Sequence, residues 1–219
     1  MAATNQQLTQ GSGRTAFFYG TLMAPEVLHR VCHGSSSPDN PIFQTHNLKS
    51  HPAILHSHRR HRVKGADYPA ILPHSTSTVR GTYVSGLTDA DIWRLDIFEG
   101  DEYERRKVKC RLLTTVGDST GEGNVEGEIV EAETYIWIAG AEALEEREWD
   151  FEEFRKEKMR FWVGGSEEFD EVDDAVASAE YQKDGTGGRG ANGHITTALQ
   201  AEQAKDNAVR IAARAVPEI

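Results

Sequence analysis

The acidic segment at residues 98–105 (FEGDEYER) is the part of this chain where chemistry is most readily placed. Glu99 ends a helix-like pattern there, and Glu102 and Glu104 follow it closely. A carboxylate in a partly desolvated pocket has a raised pKa and suits the removal of a proton from a substrate. An acid at a helix C-terminus opposes the helix dipole, which is mildly unfavourable for a purely structural residue. Glu99 is therefore a candidate acid for this chemistry. The alternative for Glu99 is a solvated acid at a helix end. Glu102 is a rival base, and Glu104, beside Arg105 and Arg106, is more simply explained by a surface ion pair.

The two cysteines offer a second kind of reactive group. Cys32 and Cys110 are far apart in sequence and each lies in apolar surroundings, which favours buried, reduced thiols and a cytoplasmic location. A catalytic pair of Cys32 and His33 is the alternative, but sequence neighbours on a helix point in different directions.

Two further motifs resemble binding sites but lack the right context. His51, His56, His58 and His61 lie in one strand-like run, yet no converging carboxylate is evident, so we expect a solvated basic face and no metal site. Residues 185–190 match G-x-G-x-x-G, but they follow no strand and open no helix, so a dinucleotide site is not predicted.

The elements that must position Glu99 alternate irregularly. Thr88 and Asp91 have capping-box spacing ahead of a helix that ends at Gly100, and an aromatic-rich helix is predicted at residues 149–162. A further helix is predicted at residues 26–32, and strands at residues 15–19, 43–48, 53–63, 70–72, 78–85, 107–113 and 132–138. Within the strand at 78–85, Gly81 indicates close passage of another backbone.

Short strands in this order predict an α+β fold, with a mixed sheet curled into a small β-barrel rather than a doubly wound parallel sheet. Residues 34–41 read as a loop, and residues 117–131 as a glycine-rich, acidic, mobile one. We expect residues 1–13 to be disordered, residues 14–163 to form one domain, and residues 164–219 to form an acidic, glycine-rich linker with a marginal helix at 195–215.

Composition narrows the partners. The chain has 219 residues and a formal net charge of −11. A field of that sign repels phosphate backbones and anionic lipid, so we expect neither nucleic acid nor membrane as a partner. A membrane span needs roughly 20 apolar residues, which the chain lacks, and a small molecule is the expected partner. The sequence leaves the oligomeric state open.

Several motifs occur in one order across residues 17–163: YGTL at residues 19–22, DYPAILP at 67–73, FEGDEYER at 98–105, TYIW at 134–137 and EWDFEEF at 148–154. Together they resemble the gamma-glutamylcyclotransferase-like family, most closely its AIG2-like branch. The resemblance implies a compact mixed β-barrel with flanking helices and a pocket at one end. It also implies that Glu99 is the catalytic base and that Tyr103 lies near a pocket tyrosine, although the spacing after the acid differs between branches. The resemblance further implies that backbone N–H groups of one segment hold the substrate's glutamyl group. This segment consists of Tyr19, Gly20, Thr21 and Leu22.

The activity that this resemblance implies is an intramolecular cyclisation. The α-amine of a γ-glutamyl compound attacks its own γ-carbonyl, which releases an amine and leaves 5-oxoproline. Such a step needs a base and fixed donors for the developing oxyanion, and it needs no metal or organic cofactor. A non-catalytic binding or regulatory module of the same fold is the alternative, as is a family member acting on a specialised metabolite. The sequence does not specify the leaving amine.

Overall fold

The computed structural model describes residues 13–37, 39–163, 172–173 and 175. The strands are β1 (Arg14–Phe18), β2 (Lys49–Arg62), β3 (Pro69–Leu87), β4 (Tyr103–Thr115) and β5 (Val125–Trp137). The helices are α1 (Pro25–His33), α2 (Pro41–Thr45), α3 (Asp89–Glu99), α4 (Phe151–Glu153) and α5 (Met159–Val163). A π-helical turn at Phe154–Lys158 joins α4 to α5, and 3-10 turns lie at Thr21–Met23 and Ala141–Ala143.

The strands close into a barrel in the order β1-β3-β2-β4-β5. Neighbouring strands are antiparallel, except that β5 closes the barrel against β1 in parallel through Ala16 and Glu133. The predicted α+β class, with a small mixed β-barrel and flanking helices, is confirmed.

Strand β1 shows how the barrel divides the core into two layers. Successive side chains of a strand point to opposite faces. Phe17 therefore enters the barrel interior, where it packs with Val79 in a cluster drawn from all five strands. Phe18 points outward and packs in a second cluster with Leu95 of α3 and Phe154 of the C-terminal helical segment. The helices thus cover the outer face of the strands that lead to the candidate site.

Gly81 lies where β1 crosses β3. A Cβ added at Gly81 would overlap the carbonyl oxygen of Phe18 and come within 2.6 Å of Cζ of Phe17. The close backbone approach predicted at Gly81 is confirmed.

Helix α3 begins and ends as predicted. The Thr88 hydroxyl accepts a hydrogen bond from the Asp91 amide at 3.1 Å, and the Asp91 carboxylate accepts one from the Thr88 amide at 2.7 Å. The helix ends at Glu99, and Gly100 follows with φ 71°, a conformation that favours glycine. Because both ends are fixed by local chemistry, the position of Glu99 is set by the sequence around it.

The aromatic helix near the C-terminus forms with two differences. It begins at Phe151, with the Asp150 carboxylate accepting hydrogen bonds from the second and third amides at 2.7 and 3.0 Å, and it contains the π-helical turn. The predicted core role of its rings is confirmed, because Trp149, Phe154 and Trp162 are all buried.

The predicted strand at residues 43–48 is wrong. Residues Pro41–Thr45 form the short helix α2, in which Pro41 occupies the first turn. The Asn40 side chain caps this helix by accepting a hydrogen bond from the Ile42 amide at 2.9 Å. Capping chemistry therefore decided the local structure over the apolar content of the segment.

Two strand boundaries also differ from prediction. The separate strands at residues 70–72 and 78–85 are parts of the single strand β3, which has 19 residues. Strand β5 already begins at Val125, inside the region predicted as a mobile loop. The first part of β5 carries exposed side chains, including those of Val125 and Ile129. It therefore lacks the alternation of buried apolar and exposed polar residues by which a half-buried strand is recognised.

The two cysteines behave as the simpler interpretation predicted. Cys32 and Cys110 are buried free thiols, and burial raises the pKa of both, that of Cys110 to about 11. A thiol with so high a pKa carries little nucleophilic thiolate at neutral pH.

Several predictions fall on residues that are not described. The N-terminus up to residue 12, the glycine-rich motif at 185–190 and the helix at 195–215 lie outside the described residues. Beyond the expected domain boundary at residue 163, however, Val172 is buried and Asp173 pairs with Arg30 of α1 at 2.7 and 3.0 Å. In the part of the chain that the structure describes, no helix is both long enough and apolar enough to cross a membrane.

Candidate active site

The predicted site residues come from three separate stretches of chain. The segment Tyr19 to Leu22 directly follows β1, Glu99 is the last residue of α3, and Tyr103 is the first residue of β4. Glu99 and Tyr103 are half-buried, whereas Tyr19 is only 6% exposed. The fold brings the tyrosines and the acid into one electrostatic neighbourhood, as their pKa shifts show below.

The segment after β1 forms a tight 3-10 turn. The Met23 amide donates to the Gly20 carbonyl and the Ala24 amide donates to the Thr21 carbonyl, both at 3.0 Å. The amides at the start of such a turn have no acceptor within the turn itself. Thr21 and Leu22 are both buried, at 5% and 3% exposure.

Gly20 is positioned by Pro69, at the beginning of β3. A Cβ added at Gly20 would lie 2.8 and 2.9 Å from Cγ and Cδ of Pro69, closer than real Cβ contacts allow. The YGTL and DYPAILP motifs therefore pack directly against each other. The family resemblance implied that the backbone at Gly20 helps to hold a substrate. The structure shows a second constraint on this glycine, because a larger residue would collide with the ring of Pro69.

Arg60 of β2 holds the same turn from the other side. Its guanidinium donates to the carbonyl oxygen of Tyr19 at 3.0 Å and pairs with Glu148 at 2.8 Å. It also stacks over the ring of Trp149 at 5.6 Å. Only 12% of the Arg60 side chain is exposed, so this is a buried, multiply bonded anchor for the turn.

The Glu99 carboxylate acts electrostatically on three phenols, those of Tyr19, Tyr103 and Tyr135. The pKa of Tyr19 is raised well above its usual range, first by burial and then by the Glu99 carboxylate. The pKa of Tyr103 is raised by burial, Tyr19 and then Glu99, and that of Tyr135 by burial, Asp96 and then Glu99. All three phenols therefore stay protonated at neutral pH.

The phenols are also fixed in place by backbone carbonyls. Tyr19 donates to the Tyr135 carbonyl at 2.6 Å, and Tyr103 donates to the Pro69 carbonyl at 3.0 Å. The Tyr135 hydroxyl donates to Asp96 at 2.9 Å. The site around Glu99 is consequently preorganised by groups from β1, β3, α3, β4 and β5.

Glu102 is a second carboxylate in the neighbourhood of Tyr103. Its carboxylate lies 3.4 Å from the Tyr68 hydroxyl, and burial raises its pKa. The Glu102 carboxylate also raises the pKa of Tyr103, after burial, Tyr19, Glu99 and Tyr68. Glu102 thus remains a rival acid, whereas Glu104 forms the expected surface ion pair, with Arg106 as its partner.

Sequence reasoning did not single out Tyr135 or Arg60. The available signal for Tyr135 was its place in a buried strand, since a buried phenol needs a hydrogen-bond partner. Arg60 gave no comparable signal, because its carbonyl acceptor on Tyr19 is 41 residues away in sequence.

The comparisons with known proteins show the family of this chain. The model of the family described as "Gamma-glutamyl cyclotransferase, AIG2-like" matches residues 16–159. The chain belongs to the AIG2-like gamma-glutamyl cyclotransferase family. The AIG2-like match includes all six predicted site residues, from Tyr19 to Tyr103.

Curated AIG2-like relatives come from Arabidopsis thaliana. AIG2-like protein C is 33% identical, and the match covers 72% of this chain and 80% of that protein. AIG2-like protein D is also 33% identical, and the match covers 72% of this chain and 89% of that protein. Among solved structures, a solution structure from Arabidopsis thaliana is 25% identical, covers 81% of this chain and 88% of that one, and has a TM-score of 0.46. A second solved structure, titled gamma-glutamyl cyclotransferase, is 14% identical in sequence and has a TM-score of 0.40. The match covers 61% of this chain and 69% of that one. The AIG2-like assignment rests on the family and sequence matches.

Proposed function

We propose that this protein is a γ-glutamyl cyclotransferase that converts a γ-glutamyl compound into 5-oxoproline and a free amine or amino acid. Membership of the family supports this reaction class. The observation that carries the proposal is the half-buried carboxylate of Glu99, which shares one neighbourhood with Tyr19, Tyr103 and Tyr135.

In the proposed step the substrate ammonium first loses a proton to Glu99. The free amine then attacks the γ-carbonyl, a C–N bond forms, and negative charge develops on the carbonyl oxygen. As the γ-amide bond breaks, Glu99 returns this proton to the departing nitrogen. The ring nitrogen then gives its second proton to Glu99, which passes it to the released amine; the amine leaves as an ammonium ion and the acid ends as it began. Because the attack is intramolecular, the enzyme mainly has to hold one folded conformer of the substrate.

The turn after β1 supports the developing oxyanion in this proposal. The leading amides of Gly20, Thr21 and Leu22 belong to a rigid 3-10 turn, packed against Pro69 and bonded through Tyr19 to Arg60. Fixed donors of this kind stabilise a charged transition state without reorganising during the reaction. Tyr103 would line the same pocket, and the reaction as written needs no metal or organic cofactor.

The direct test is to incubate the full-length protein with a panel of γ-glutamyl amino acids and γ-glutamyl amines and to measure 5-oxoproline. We expect at least one member of the panel to be cyclised. A protein that binds such compounds saturably but releases no 5-oxoproline would instead be the non-catalytic binding module of this fold. A protein that neither binds nor cyclises any of them would overturn the proposal.

We also propose a cytoplasmic location and no nucleic acid or membrane partner. Buried, reduced cysteines suit a reducing compartment, and a net charge of −11 disfavours anionic polymers and lipid surfaces. Imaging a fluorescent fusion tests the location. Retention of the protein on anionic vesicles or on DNA at physiological salt would contradict the expected partners.

A further inference from the structure

A cluster of metal-ligand residues lies at the opposite end of α3 from Glu99. His29 and His33 are one turn apart on α1, His46 follows α2, and Asp91 is in the first turn of α3. Asp91 and Glu99 are eight positions apart on the helix, which at 1.5 Å per residue is about 12 Å along its axis. The cluster is therefore separate from the candidate active site.

The members of this cluster are in direct contact. Nε2 of His33 lies 2.7 Å from Nδ1 of His46, and Nδ1 of His29 lies 3.1 Å from Nδ1 of His33. Nε2 of His46 lies 3.5 Å from the Asp91 carboxylate. The possible ligand atoms of His33, His46 and Asp91 all lie within 4.8 Å of one another.

The surroundings prepare His46 to act as a ligand. Its Nε2 lies 2.8 Å from the carbonyl oxygen of Gly86, which can only accept a hydrogen bond, so Nε2 carries the proton. The lone pair of His46 is then on Nδ1, facing His33. A hydrogen bond from the second ring nitrogen to a backbone carbonyl is the usual support of a metal-binding histidine.

The other two groups are held as well. Asp91 is fixed by the amide and hydroxyl of Thr88, both at 2.7 Å. His33 is buried, at 5% exposure, with its two ring nitrogens facing His29 and His46.

We propose that His33, His46 and Asp91 bind one divalent transition-metal ion, for which Zn²⁺ is the best chemical match. Two imidazoles and one carboxylate are a common zinc donor set, and a water molecule can complete the tetrahedron. Ligands about 2.0–2.2 Å from zinc lie roughly 3.4 Å apart, so His46 must turn away from His33 by a fraction of an ångström. His46 can do so, because its side chain is 18% exposed and lies in the connection between α2 and β2.

Protons balance without an external base. When Nε2 of His33 binds the metal, its proton moves to Nδ1, where Nδ1 of His29 can accept it as a hydrogen bond. The His29 proton then resides on its own Nε2. The bound ion would link α1, the segment after α2, and α3, so we expect it to stabilise the fold. This proposal stands independently of the proposed cyclotransferase activity.

Zinc titration of the chelator-treated, full-length protein tests the proposal, with calorimetry for stoichiometry and thermal unfolding for stabilisation. We expect one saturable Zn²⁺ site and a Tm that rises with zinc concentration. Mg²⁺, which prefers oxygen ligands, should give neither effect.

The informative variant is His46→Ala, because its partly exposed side chain should be removable without loss of the fold. It should weaken zinc affinity at least about tenfold. The matched control is His56→Ala, which removes an exposed histidine that also pairs with a carboxylate, Glu126, at 2.9 Å. His56→Ala should bind zinc as the wild type does. Absence of saturable binding, or equal affinity in His46→Ala, would overturn the proposal.

Discussion

At the scale of single residues, the surroundings of Glu99 differ from those of the exposed acids of this chain. Glu99 raises the pKa of Tyr19, Tyr103 and Tyr135 in addition to the effect of burial. Protonated phenols can donate to a carboxylate or to a bound substrate, but they cannot take a proton from an ammonium group. In the proposed reaction, proton removal therefore falls to a carboxylate.

The first prediction concerns Glu99→Gln. The amide keeps the shape of the side chain but cannot accept the substrate's proton, so turnover should fall about 10²- to 10⁴-fold. Binding should survive, because the turn from Tyr19 to Leu22 is untouched. The measurements are 5-oxoproline release and calorimetric binding of a γ-glutamyl compound that the wild type cyclises.

Glu104→Gln is the control for Glu99→Gln. Glu104 is a nearby acid on β4, but it is exposed and paired with Arg106, so its loss should leave turnover unchanged. An active wild type whose Glu99→Gln variant keeps its full rate would rule out Glu99 as the base. In that case Glu102 becomes the remaining candidate in this neighbourhood.

The second prediction concerns the pH dependence of stability through Glu102. Because burial raises the pKa of folded Glu102, the folded state holds its proton more tightly than the unfolded state. The resulting stability is present below the unfolded pKa and is lost as pH rises through the folded pKa. The Tm of Glu102→Gln minus the Tm of the wild type should therefore increase as the pH is raised from below about 4 to 7, because only the wild type has to ionise a partly buried carboxyl. A Tm difference that is constant with pH would contradict this assignment.

At the scale of elements, the candidate site depends on how neighbouring segments pack. The turn after β1 touches the start of β3 through Gly20 and Pro69, and it touches β2 through Arg60. These contacts involve side chains that never meet a substrate in our proposal. Changes in them should act by moving the turn.

The third prediction is a double-mutant cycle on Gly20 and Pro69. Gly20→Ala places a methyl group within 3 Å of the proline ring and should cost about 1–3 kcal/mol of unfolding free energy. Pro69→Ala removes Cγ and Cδ, so the double variant should be more stable than the sum of the single effects. Urea unfolding of the four proteins measures the coupling. Additive effects would show that the two residues do not compete for the same space.

The fourth prediction concerns Arg60→Ala, which leaves the buried Tyr19 carbonyl without this donor. We expect a loss of about 1–3 kcal/mol in unfolding free energy, and a raised KM where activity is measurable. Arg59→Ala is the matched control, since Arg59 is the exposed neighbour on the same strand. If Arg59→Ala and Arg60→Ala are equally mild, Arg60 does not anchor the turn.

At the scale of the whole molecule, two described residues beyond the boundary expected at residue 163 contact the rest of the protein. Val172 is 1% exposed, and Asp173 pairs with the largely buried Arg30. The acidic composition around these residues hid a contact that includes one apolar side chain.

The fifth prediction is that Val172→Ala destabilises the full-length protein by about 1–3 kcal/mol, because it removes buried methyl groups. Glu152→Ala, at an exposed position on α4, is the control and should change stability little. Thermal and urea unfolding provide the measurement. Equal stability of the Val172→Ala variant and the wild type would place the boundary back near residue 163.

The sequence by itself determined the features that depend on local chemistry. Thr88 and Asp91 begin α3, Gly100 ends it, and Glu99 is thereby presented at its C-terminus. The ordered motifs were also sufficient to identify the family, and alternating short strands and helices were sufficient for the mixed barrel. These conclusions hold because capping, periodicity and motif order are properties of short segments.

Only the tertiary structure decided which distant residues meet. Tyr19 and Tyr135 are 116 positions apart, yet the closure of β5 against β1 brings the hydroxyl of one to the carbonyl of the other. The contact of Gly20 with Pro69 and the cluster of His33 with His46 arise in the same way. Residue types alone do not encode such contacts, because they follow from strand register and from the packing of helices on the barrel.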